Sequence, residues 1–126
     1  MTSMDDATVE AVVMRWLPVS EDDIATCDWG YCERPSVVRG PTGNQFVYLP
    51  ACMDHFPDPR TDGNGIFALL EAVAAKRLSV GVAYDFVGGS WQAWVEKARL
   101  EMNYFATGPT PHEAVIAAIA QIPEAE

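Results

Sequence analysis

The spacing of cysteine and histidine between positions 27 and 55 constrains this chain more than any other feature. The ligand-type residues fall as Cys27-x4-Cys32, then nineteen intervening residues, then Cys52-x2-His55. Three soft thiolates and one imidazole make the donor set of a tetrahedral zinc site. Between the two pairs, residues 36–39 and 45–49 have strand character and flank Gly40-Pro41-Thr42-Gly43-Asn44, which reads as a turn. The expected arrangement is a hairpin with a ligand pair at its open end, closed by one metal ion on Cys27, Cys32, Cys52 and His55. Protein atoms would then fill all four positions and leave none for water, so the role of the ion would be structural. The competing reading is three buried free cysteines beside an ordinary histidine. A hairpin this small has too little apolar area for that reading to be comfortable.

The chain has 126 residues, 49% of them hydrophobic, enough for a modest core. Its formal charge of -10 repels nucleic-acid backbones and favours a basic partner. No early stretch joins a basic leader to a long apolar run. The longest nearly apolar stretch, residues 66–75, contains Glu71 and is too short to span a bilayer. Three cysteines cannot all pair within one chain, and a reducing compartment would keep them as thiols. The expected location is therefore the cytoplasm.

Along the chain, residues 5–17 place Val9, Val12, Val13, Trp16 and Leu17 on one helical side, with Ser3, Asp5 or Asp6 as cap and Pro18 as stop. Ser20-Glu21-Asp22-Asp23 has capping-box spacing ahead of a further helical turn. Residues 55–65 are dense in turn formers, and Pro57 and Pro59 exclude a central strand. The expected domains divide there, with a helix and zinc hairpin in 1–60 and a small α/β sandwich-like unit in 61–126. A helix over 66–77 should carry Ile66, Leu69, Leu70, Val73 and Ala74 on its apolar side. Residues 78–87 alternate as a strand, and Gly88-Gly89 suits a two-residue turn into a second strand through Trp91, Ala93 and Val95. A third strand fits residues 100–106. A helical rival exists for 91–106, because Trp91, Trp94, Val95, Ala98, Met102 and Phe105 also fall at helical spacing. The last helix opens on Thr110-Pro111-His112-Glu113, a capping threonine, a first-position proline and a third-position glutamate.

Residues 62–122 carry a resemblance. The phrases Phe67-Ala68-Leu69-Leu70-Glu71-Ala72-Val73, Trp91-Gln92-Ala93-Trp94 and Ala106-Thr107-Gly108-Pro109-Thr110-Pro111-His112-Glu113-Ala114-Val115 resemble the small phage proteins of the phage ABA sandwich type. That resemblance implies an α-β-β-(β)-α lobe, favours strands over 91–106, and supplies no catalytic residues. Gly30-Tyr31-Cys32-Glu33-Arg34-Pro35 and Tyr48-Leu49-Pro50-Ala51-Cys52-Met53-Asp54-His55 resemble small zinc-ribbon or treble-clef-like modules. Those modules commonly have two residues inside the first ligand pair, where this chain has four. The expected fold class is α+β, a zinc-stapled β-hairpin lobe followed by that small lobe.

Other residues have simpler readings. Trp16 fits a core position and His112 a surface one. Asp58, Asp62 and Asn64 lack calcium-loop spacing and read as polar linker. Cys52 and His55 could be drawn as nucleophile and base, but metal ligation would occupy both, so no enzyme is expected. The leading expectation is a phage or mobile-element accessory protein that binds and modulates or inhibits a basic host protein, such as a nucleic-acid enzyme or a defence effector. The alternatives are a nucleic-acid-associated regulator using Arg34, Arg39 and the aromatics Trp29, Tyr31, Phe46 and Tyr48, or a self-assembling structural protein.

Overall fold

The computed structural model describes residues 4–19, 32, 34, 36–42, 44–97 and 102–123, with the backbone alone at 41, 42, 44–49, 102 and 103. The helical turn expected after Ser20 lies outside the described residues. The first helix, α1 (Asp6–Trp16), starts where the Asp5 carboxylate accepts the Thr8 N–H at 2.8 Å. It buries Val9, Val12, Val13 and Trp16, the expected stripe. The Trp16 ring lies in the core, with Arg15 and Lys76 against it at 5.1 and 5.7 Å from its centroid.

Strands β1 (Val38–Thr42) and β2 (Asn44–Ala51) form an antiparallel hairpin whose open end is the Val38–Ala51 pair. Gly40, Pro41 and Thr42 belong to the ladder, so the reversal is tighter than the expected five-residue turn. Proline survives in β1 because a two-stranded sheet has only edges, and the register shifts beside it at Pro41/Thr42. The N–H of Arg39 donates to the Leu17 carbonyl at 3.0 Å, and Pro18 bridges to Val38. The end of α1 is thereby fixed to the hairpin.

Helix α2 (Gly63–Ala74) begins three residues before the expected start because Asp62 caps it, accepting the Asn64 N–H at 2.9 Å. Gly65 is buried in its first turn, where a Cβ would collide with the Pro57 carbonyl and stand 3.0 Å from the Pro59 Cα. The proline-rich turn thus packs directly into the start of α2. At the other end the chain leaves the helix through Arg77 at φ 62, so Lys76 and Arg77 follow α2 rather than forming its last turn. Ala74 is exposed, while Ile66, Leu69 and Val73 are buried as expected.

Strands β3 (Ser79–Asp85), β4 (Ser90–Glu96) and β5 (Met102–Gly108) form an antiparallel sheet in the order β3-β4-β5. The strand reading prevails over the helical rival at 91–96 and 102–106, because β4 pairs on both sides and buries Ala93 and Val95, while residues 98–101 lie outside the described residues. The turn between β3 and β4 has four residues, not two. Asp85 accepts the Val87 N–H on its carboxylate at 3.0 Å and the Gly89 N–H on its carbonyl at 2.8 Å, and Gly89 supplies the positive φ of 68°. A bulge between Ala93 and Val95 lets β5 present an extra residue, and Tyr104 sits there at φ 54.

Helix α3 (Pro111–Ala120) covers β4 and β5. The Thr110 hydroxyl accepts the Glu113 N–H at 3.1 Å, and the buried Glu113 carboxylate accepts the Met4 N–H at 2.8 Å, tying the chain's start to α3. The two sheets lie on opposite sides of position 60 in sequence. Buried residues from both sides, including Val13, Val38, Leu69, Val95 and Ile116, form one cluster. Among the described residues no helix is long and apolar enough to cross a membrane.

Candidate metal centre

Strand β2 ends at Ala51, and the chain turns at once, with the His55 and Phe56 N–H groups both donating to the Cys52 carbonyl at 3.1 Å. That turn brings the His55 ring back over Cys52, whose Sγ lies 3.4 Å from His55 Nδ1. On the facing side of the hairpin, Cys32 precedes β1, and its Sγ is 3.8 Å from that of Cys52. The three ligand atoms all lie within 4.8 Å of one another. The Val37 N–H donates to the Ala51 carbonyl at 2.9 Å, so strand pairing itself sets the approach of the two cysteines.

These separations can be tested against zinc. With Zn–S near 2.3 Å and Zn–N near 2.0 Å, tetrahedral angles put neighbouring sulfurs about 3.8 Å apart and sulfur and nitrogen about 3.5 Å apart. The observed 3.8 and 3.4 Å match both. Burial is graded across the cluster, with Cys52 buried, Cys32 half-buried and His55 exposed. Of the four expected ligands, three are therefore brought together, and Cys27 lies outside the described residues. His112 is half-buried in the first turn of α3 and is not part of the cluster.

The turn is anchored from behind and from the side. Phe56 is buried with its ring against Gly40, where any side chain would displace it. The Arg34 guanidinium pairs with the Asp54 carboxylate, linking the Cys32 segment to the ligand turn. Both partners are exposed, so this pair guides position more than it stabilises.

Beside the centre is a feature that the sequence did not reveal. A cleft of about 350 Å³ between α1 and the proline-rich turn is lined by Asp6, Glu10, Asp54 and Asp58, with Arg60 as its one basic group among the described residues. Arg60 donates to both Asp58 oxygens, at 2.9 to 3.3 Å, to Asp6 at 2.6 Å and to the Met4 carbonyl at 2.9 Å. Residues 58 and 60, read from sequence as linker, instead form a clamp between the turn and the start of α1. The visible signal was a lone arginine among three nearby aspartates, but sequence spacing could not supply the long-range partner Asp6. The Arg60 hydrogen bonds hold the Asp58 carboxyl below its usual range, although partial burial opposes the shift. Asp62 caps α2, and among the described residues Asp58, Asp62 and Asn64 form no metal cluster.

No protein-family model, curated protein or solved structure matches the chain.

The Arg60 clamp has a pH signature. A carboxylate with a depressed folded pKa adds stability above its unfolded pKa, near 3.8, and loses that contribution as pH falls through the folded value. Urea unfolding of the native chain should therefore lose more stability between pH 6 and pH 3 than Arg60→Gln does. Acid release of a bound metal would be common to both proteins, so equal losses would contradict the assigned cause.

Proposed function

We propose that this chain is a non-enzymatic binding protein whose hairpin is closed by one structural zinc ion and whose acidic cleft receives a basic segment of a partner protein. The observation that carries the proposal is the convergence of the Cys32, Cys52 and His55 ligand atoms within 4.8 Å of one another at the hairpin's open end, with Sγ–Sγ and Sγ–Nδ1 separations of 3.8 and 3.4 Å that suit a tetrahedral ion. Cys27 is the fourth ligand in this reading, a protein group that closes the coordination sphere and leaves no position for water. Zinc would supply folding free energy rather than a hydrolytic nucleophile. Hard cations are disfavoured by the donor set, since magnesium and calcium take oxygen ligands.

The partner follows from charge. Four carboxylates converge on the cleft against a single guanidinium that two of them already engage. A second depression of about 370 Å³, lined by Glu10, Arg34, Asp54 and Cys52, adjoins it and reaches the metal centre. A lysine- or arginine-rich segment complements this surface, and docking there would be steered by charge and weakened by salt. The resemblance of residues 62–122 to phage ABA sandwich proteins extends the proposal to a phage or mobile-element accessory factor that modulates or inhibits a host protein. Such a partner could be a nucleic-acid enzyme or a defence effector. Direct nucleic-acid binding fits less well, because the Arg34 charge is paired with Asp54 beside an acidic cleft.

Two measurements test the halves separately. Purified without chelator, the native chain should retain one zinc per chain, and Cys52→Ser should lose it and melt at lower temperature. Unchanged retention by that variant would remove Cys52 from the site. For the cleft, a lysine-rich peptide should bind at low salt and bind on the order of tenfold more weakly to the double variant Glu10→Gln, Asp54→Asn. Equal binding by the two proteins would place the basic partner elsewhere.

A further inference from the structure

The two edges of the β3-β4-β5 sheet are not alike. On β5 the ladder is broken by the bulge at Tyr104, a device that blunts a sheet edge. Strand β3 is regular, paired to β4 at every residue from Ser79 to Asp85, and among the described residues has no strand on its other side. It contains no lysine, no proline and no bulge, and its single charge, Asp85, stands at one end. Natural sheets rarely leave such an edge open, because its free N–H and C=O groups template further pairing.

The side chains along this edge are those of a strand that expects company. Val80, Val82 and Tyr84 point to the same side as Trp91, Ala93 and Val95, their partners across β4. Ala93 and Val95 are buried, whereas Val82 and Tyr84 are 45% and 44% exposed. Tyr84 packs edge-on against both Trp91 and Phe86, with centroids 5.2 and 5.4 Å apart. Phe86 and Val87 at the tip are 89% and 99% exposed. The apolar surface therefore continues past the sheet's last strand and off its end.

We propose that the open edge of β3 pairs antiparallel with β3 of a second copy, centred on Val82, joining two three-stranded sheets into one of six strands. The sequence of β3 is self-complementary in that register. Val82 faces Val82, Val80 faces Tyr84, and the lone carboxylate Asp85 faces Ser79 rather than another carboxylate. The same register carries each Phe86 towards Leu78 of the second copy and brings Arg77 near the second Asp85. A chain of formal charge -10 resists self-association over most of its surface, whereas β3 carries a single charge, and that at its end. The contact is independent of the metal centre, which lies on the other sheet.

Sedimentation of the intact, zinc-replete chain across micromolar concentrations tests the contact. The native protein should show a concentration-dependent species of twice 13.8 kDa. Val82→Lys, which sets two ammonium groups opposite each other at the two-fold axis, should raise the dimer dissociation constant on the order of tenfold or more. Phe105→Lys, on the exposed side of the opposite edge strand, should leave it unchanged. Far-ultraviolet circular dichroism of each variant establishes that the fold is retained, and amide exchange should slow along residues 79–85 as the dimer forms. A monomer throughout the range, a dimer indifferent to Val82→Lys, or one equally weakened by Phe105→Lys would each overturn the proposal.

Discussion

The convergence of Cys32, Cys52 and His55 is the constraint that organises the open end of the hairpin. Two of these residues stand on opposite arms of a hairpin, and the third is returned by a single turn of chain. Two sulfurs and an imidazole nitrogen at hydrogen-bonding separation are also a donor set that one common partner could hold. A divalent ion is such a partner, and pairing of Val38 with Ala51 then performs two tasks at once. It closes the strand ladder and brings the ligands to bonding separation.

The rest of the molecule is built outward from that hairpin end. Phe56, immediately after the ligand turn, fills the space over Gly40 and so fixes the turn against β1. The following prolines press into α2 at Gly65, and Arg60 reaches from the same loop to Asp6 and the Met4 carbonyl at the start of α1. Met4 in turn donates to Glu113 at the beginning of α3. A short path of packing and hydrogen bonds thus runs from the ligand turn to all three helices among the described residues. The shared core, with Val38 beside residues of α1, α2 and α3, is the apolar counterpart of that path.

Much of this was legible in the residues because the signals were local. The stripe Val9, Val12, Val13 and Trp16, the Thr110-Pro111-Glu113 helix opening and the Cys52-x2-His55 pair each need only neighbours along the chain to be read, whereas the approach of Cys32 to Cys52 comes from strand pairing. The misplacements have a shared cause, since each was decided by a contact from elsewhere or by a side chain bonding its own backbone. Asp62 started α2 early by capping, and Asp85 widened the expected two-residue turn to four by accepting two N–H groups. Gly40-Pro41-Thr42 joined a strand because its ladder had an edge to spare. The ambiguity of residues 91–106 was real in the pattern, and only pairing with β3 and β5 resolved it. The acidic cleft was invisible for the same reason, because Asp6 and Asp58 come together only through Arg60.

The Cys32–Cys52–His55 cluster, the acidic recess next to it and the β3 edge of the other sheet are separate features of one frame, and under the proposals above the recess and the edge would serve as two contact surfaces. The proposed ion is the part on which the recess depends, since Asp54 sits within the ligand turn and Glu10 faces it. X-ray absorption at the zinc edge on the purified native protein addresses it most directly. The account predicts one zinc per chain with about three sulfur neighbours near 2.3 Å and about one nitrogen neighbour near 2.0 Å. A sample without zinc, or zinc surrounded by oxygen, would contradict it.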